Sequence, residues 1–133
     1  MLTLSAQTTA FPDISIPKGA PIAALAVARP SDSQQRVNTY VLYLDASSNI
    51  NVLSTEDSST WKTAQPDVMK DVDSDTDIAC ATMPQTFSDA NANQLLLEAA
   101  SGDTRCYFQR GGQVVEVSFA GQDWVELGNV EIP

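Results

Sequence analysis

Apolar positions along the chain fall into short runs separated by polar turns. IAALAVA at 22–28 is a continuous apolar run, the pattern of a strand buried on both faces. YVLYLD at 40–45 is rich in β-formers, and INVLST at 50–55 follows after the turn ASSN. A polar EDSST then precedes Trp61. The second half repeats this order. DIACATM at 77–83 echoes PIAALAV at 21–27, and a polar loop follows each, SDSQQRVN in one and QTFSDANAN in the other. QLLLEA at 94–99 echoes YVLYLD, and SGD stands where ASSN stood.

Ile22 to Val41 spans nineteen residues and Ile78 to Leu95 seventeen, so the offset between copies is about 54 to 56 residues. Repetition at a period of ~40–50 residues in an all-β pattern predicts propeller blades. The expected fold is therefore all-β, with propeller-like blades of short antiparallel strands. A small barrel or sandwich is the alternative. Residues 1–133 read as one all-β domain, with a first blade-like repeat at 20–66 and a second at 76–133. FPDISIP at 11–17 parallels LGNVEIP at 127–133, so residues 1–17 read as a strand completing a blade that begins elsewhere. Two blades and a fraction cannot close a ring. The chain is expected to close by homo-oligomerisation or to be part of a longer propeller. One segment conflicts with this pattern. SDANANQLLLEAASG at 88–102 has the caps and composition of a helix, and is read as strand because the repeat and its β neighbours agree.

TRCYFQRGGQVVEVSF at 104–119 is the clearest local signal. A turn at Gly111-Gly112 makes paired positions sum to 223. Arg105 then faces Ser118, and Tyr107 faces Glu116. Alternation puts Arg105, Tyr107, Gln109, Val114, Glu116 and Ser118 on one face. Cys106, Phe108, Val115, Val117 and Phe119 lie on the other, which is apolar enough to be core. Arg105 and Glu116 become diagonal neighbours with Cβ atoms ~7–8 Å apart. A guanidinium that donates and a carboxylate that accepts suit a neutral polyol, and an indole can cover a sugar's apolar face. Trp124 is the candidate indole. The plainer reading is a solvated cross-strand salt bridge worth ~0–1 kcal/mol.

Charge and composition then exclude classes. The net charge of −10 opposes phosphate backbones and anionic membrane surfaces, so neither nucleic acid nor membrane is an expected partner. No apolar run approaches the ~20 residues of a membrane span. The N-terminus MLTLSAQTTAFPD carries no signal-peptide pattern, which gives a cytoplasmic expectation. The chain has no histidine, which removes the usual general base, metal ligand and Ser-His or Cys-His nucleophile. No catalytic residue, metal or cofactor is assigned. Cys80 and Cys106 sit in apolar runs and read as buried reduced thiols, with one disulfide as the alternative. Asp71, Asp73 and Asp75 in DVDSDTD have the spacing of oxygen-ligand loops. Thr76 replaces the turn glycine and Thr82 the closing acid, so the segment reads as a solvated linker.

Arg105-x-Tyr107, Gly112, Glu116 and Asp123-Trp124 together resemble the blade motif of the fungal and bacterial fucose-binding lectins of the Aleuria type, which are β-propellers. The resemblance implies that Arg105 and Glu116 hold sugar hydroxyls, with Tyr107 and Trp124 as supporting aromatics. The motif is incomplete: Thr104 and Gln122 stand where the family has isoleucine and glycine. In the first repeat, aligning Tyr43 to Tyr107 puts Val41 at the arginine position and Val52 at the glutamate position. Matching QLLLEA to YVLYLD instead puts Arg105 in a third strand rather than a second. The expected function is a carbohydrate-binding, lectin-like protein recognising a neutral sugar such as fucose. One alternative is a lectin-fold cyclase or isomerase that shapes an apolar natural-product intermediate, using Arg105 with Tyr40, Tyr43 or Tyr107. The other is a non-catalytic interaction module.

Overall fold

The computed structural model describes residues 14–28, 34, 36–83, 103–119 and 123–131. The Gly-Gly turn sets the architecture of the second half. Gly111 and Gly112 both take positive φ, 62° and 76°, the twist that joins two strands through two residues and that L side chains resist. β6 (Asp103–Arg110) and β7 (Gln113–Phe119) pair across it in the expected register, with Tyr107 opposite Glu116 and Arg105 opposite Ser118. β5 (Ala79–Met83) flanks β6, and β8 (Trp124–Asn129) flanks β7 with a bulge at Glu116/Val117. The first half builds the same meander: β1 (Ile22–Ala28), β2 (Val37–Leu44), β3 (Ile50–Thr55) and β4 (Trp61–Ala64). The fold is all-β, with two four-stranded antiparallel sheets in the orders β1-β2-β3-β4 and β5-β6-β7-β8. The two sheets remain separate, so no closed barrel forms among the described residues.

Alternation decides which faces meet. Tyr40, Leu42, Leu44, Ile50 and Val52 from the first sheet pack against Cys106, Phe108, Val115, Val117 and Phe119 from the second. The strands of the two sheets come nearest where β1 lies along β5. Arg105 lies on β6, the second strand of its sheet, so the alignment of Tyr107 with Tyr43 holds and the third-strand alternative falls. Tyr43 pairs with Asn51, not Val52, because seven residues separate this pair where eight separate Tyr107 from Glu116. Asn51 therefore takes the place that Glu116 holds in the second sheet. Ile14–Pro17 form no strand, and β8 ends at Asn129. The remaining residues of 1–17, and the whole of 88–102 with its strand-or-helix question, lie outside the described residues.

The cysteines correct the thiol expectation. Cys80 and Cys106 are directly paired across β5 and β6 and form a disulfide. Neighbouring strands bring the two Cα atoms to 4.1 Å, which apolar composition could not reveal. Closing a loop of sequence separation 26 removes enough unfolded-state entropy to stabilise the fold by about 3–4 kcal/mol.

The acidic segment links the two sheets as expected, with Asp71, Asp75 and Asp77 exposed, but it is bonded to both rather than freely solvated. It contains a 3₁₀ turn at Asp67–Met69 and then crosses the hairpin ends of both sheets. The Val72 N–H donates to the Ser48 carbonyl at 2.9 Å, and the Asp71 N–H to Asn49 Oδ1 at 3.0 Å, which pins it to the β2–β3 turn. The Asp73 carboxylate accepts from the Gly111 and Gly112 N–H groups at 2.7 and 2.9 Å. Thr76 Oγ1, almost fully buried, accepts from the Gln109 N–H at 2.7 Å. Arg110 reaches back and donates to the carbonyls of Val68 and Lys70 at 2.7 and 2.8 Å, and to Glu126 at 2.7 Å. Its guanidinium also lies 5.4 Å from the Phe108 ring centre. Met69 and Val72 enter the shared core beneath these bonds.

Arg110→Ala leaves two carbonyls and a carboxylate without their donor. It is expected to lower unfolding free energy in urea by about 2–3 kcal/mol. Glu126→Ala removes only the exposed partner and should cost less than about 1 kcal/mol. Equal losses in the two variants would show that the carbonyl bonds contribute nothing.

Candidate functional site

β6 and β7 place three of the four sequence-derived site residues together. Arg105 Nη1 lies 3.2 Å from Glu116 Oε2, and the Tyr107 hydroxyl donates to the same oxygen at 2.8 Å. The Arg105 and Glu116 side chains are 32% and 26% exposed, so the pair sits in a half-buried, water-accessible patch. It lies on the face turned away from the shared core. Ala79 and Ala81 stand opposite Tyr107 and Arg105 on β5, and their small side chains leave the patch open on that side. A hollow of about 230 Å³ adjoins it, lined by Asp77, Ala79, Tyr107, Phe108, Gln109 and Val114.

Trp124 is not part of this patch. It pairs with Phe119 and stacks on that ring with centroids 4.7 Å apart, on the inner face of the sheet. Phe119 in turn meets Tyr40 edge-on at 5.2 Å. The indole therefore packs against the core and faces away from Arg105 and Glu116. The three tyrosines considered for an enzyme are also dispersed. Tyr40 lies on the inner face of the first sheet, Tyr43 on its outer face, and Tyr107 on the outer face of the second. No group of three or more metal-ligating side chains occurs among the described residues. Of the acidic string, Asp73 is committed to the hairpin amides.

A second concentration of polar groups escaped the sequence reading. At the far end of the inner face of the first sheet, Tyr40, Ser54 and Lys62 form one row across β2, β3 and β4. Asn38, Thr55, Glu56, Asp57 and Thr60 complete a hollow of about 230 Å³. The signal available in the sequence was alternation itself. Continuing the inner face of β2 and β3 from Leu42 and Val52 leads to Asn38, Ser54 and Glu56, polar residues on a face that is otherwise apolar.

Carboxylates shape the turns around both sheets. Hydrogen bonds from the Thr60 and Ser59 N–H groups, at 2.7 and 2.9 Å, lower the Asp57 pKa from 3.8 to about 2. Burial alone would raise Asp45. Donation from the Asn49 N–H, the Asn51 side chain, the Ser47 N–H and Gln65 outweighs it and holds this carboxyl below its ordinary value. The hydrogen bond and charge of Lys70 lower Asp67. Burial, with the Asp45 charge nearby, raises Tyr43.

A comparison with family models, with curated proteins and with solved structures finds no match to this chain.

Because these folded-state carboxyl pKa values are lowered, the unfolded chain binds protons first. The stability they contribute is fully present above pH ~4 and is lost as pH falls through about 2 for Asp57. A thermal melt followed against pH should fall across that window. Asp57→Asn, which keeps an acceptor but carries no charge, should make the fall shallower. An unchanged acid profile in this variant would contradict the role given to the Thr60 and Ser59 amides.

Proposed function

We propose that the protein is a carbohydrate-binding, lectin-like module that recognises a neutral sugar such as fucose at Arg105, Glu116 and Tyr107. The observation that carries this reading is the convergence of a guanidinium, a carboxylate and a phenol on one half-buried patch. A guanidinium offers five N–H donors and a carboxylate two acceptor oxygens. That set can serve vicinal hydroxyls while the ion pair stays made. The ion pair also holds both groups in place before a ligand arrives, so little ordering entropy remains to be lost on binding. Trp124 drops out as a direct sugar contact, and Tyr107 is the aromatic that remains in the patch.

The arrangement of the sheets supports an assembled form of this module. Two four-stranded meanders that approach at their first strands resemble neighbouring propeller blades. Exposed apolar side chains remain on both sheets: Ile22 on β1 and Val37 on β2 in the first, Val125 and Leu127 on the edge strand β8 in the second. Copies of the chain that stack such faces would close a ring and cover them. The disulfide moves the compartment reading from the cytoplasm toward an oxidising environment. No described helix is long and apolar enough to cross a membrane.

Calorimetric titration with L-fucose is expected to show saturable binding, weakened on the order of tenfold or more in Glu116→Ala. Loss of the half-exposed pair should change stability by less than about 1 kcal/mol, so a folded but non-binding variant is the expected result. Absence of binding at tens of millimolar fucose would overturn the sugar reading. Light scattering is expected to give a multiple of the 14.2 kDa chain mass, and a monomer would contradict the ring.

A further inference from the structure

We propose that the hollow on the inner face of the first sheet is a separate binding site for a hydroxylated organic cation of monosaccharide size, of the amino-sugar class. Its location is unusual for a sheet face. The inner face runs apolar through Leu44, Ile50, Leu42 and Val52, all buried in the shared core. It then changes character at Tyr40, whose ring meets Phe119 while Ser54 and Lys62 extend the same cross-strand row. The core thus ends in an aromatic wall, and beyond it the surface is concave and polar. A volume of about 230 Å³ is below the ~300 Å³ at which drug-sized sites begin, and suits a small ring.

The lining sets the chemistry. Asn38, Ser54 and Thr60 each donate and accept, as a ligand with several hydroxyl groups requires. Glu56 and Asp57 bring two carboxylates against one ammonium, Lys62, which is carried on a flexible stem. Acidic groups outnumber basic ones in this lining, and the chain carries a net charge of −10, so the surrounding field favours cations over anions. Asp57 is a preorganised acceptor. Its Oδ1 is fixed by the Ser59 and Thr60 N–H groups, and Thr55 Oγ1 accepts from the Asp57 and Ser58 N–H groups at 3.3 and 2.9 Å. The turn therefore does not have to reorganise to present charge. Tyr40 adds an aromatic ring at the base of the hollow, where C–H groups or a cation can pack.

This site uses none of the residues of the Arg105–Glu116 patch, and the two readings stand or fall separately. The test is an amide NMR titration with glucosamine, N-acetylglucosamine and glucose, near pH 6 where glucosamine is charged. Glucosamine should produce saturable shifts confined to the start of β2, the end of β3 and the 56–60 turn. Glucose and N-acetylglucosamine should bind about tenfold or more weakly, since each lacks the charge. Glu56→Gln, an exposed change that leaves the core intact, should weaken glucosamine by a similar factor. Lys62→Gln should bind it no more weakly than the unmodified protein. Equal binding of the three sugars, shifts at Arg105 and Glu116 instead of the turn, or no shifts at tens of millimolar would each overturn the proposal.

Discussion

The Asp73 carboxylate against the Gly111 and Gly112 amides is the contact on which the remaining arrangement depends. Those amides point outward from a two-residue turn that no strand can pair. Asp73 satisfies both at 2.7 and 2.9 Å. Arg110, beside the turn, returns the connection by donating to the carbonyls of Val68 and Lys70. The segment that leaves the first sheet is thereby bonded to the hairpin of the second at two points. Bonds to Ser48 and Asn49 hold its other side. The orientation of the sheets is set by backbone partners as well as by the shared apolar core, which alone is non-directional.

This stitching has a functional consequence. The β6–β7 hairpin carries Arg105, Tyr107 and Glu116, and its turn is held by Asp73 while Thr76 bonds its edge. The patch sits on paired strands anchored at the turn and covalently tied to β5 through Cys80–Cys106. Side chains on such a mount keep their spacing, which a hydroxyl-reading site requires. The inner-face hollow is held differently. Its walls come from three adjacent strands and a turn organised by Asp57, so it depends on the first sheet alone.

Local signals were legible in the sequence and long-range ones were not. The Gly-Gly pair fixed the hairpin register because a two-residue turn leaves one pairing. That register placed Arg105 and Glu116 on a common face and Phe108 and Val117 in the core. The face of Trp124 was not legible, because the sequence offers no way to carry the alternation of β7 on from Phe119 to Trp124. The disulfide required the register of β5 against β6, set by strand pairing across a sequence separation of 26. Asp73 looked like one more solvated acid, since its partners lie 38 and 39 positions away. Aligning the repeats by count put Val52 opposite Tyr43, whereas the strand register, with one residue fewer between the partners than in the second sheet, puts Asn51 there.

Amide hydrogen exchange at Gly111, Gly112, Gln109 and Val72 tests the central claim most directly. If the connection between the sheets is bonded as described, these amides should open only with the fold and exchange as slowly as those of Phe108 and Val115 in the core. Turn amides exchanging at the rate of an open loop, while core amides remain protected, would show that the segment is a passive tether and that packing alone orients the sheets.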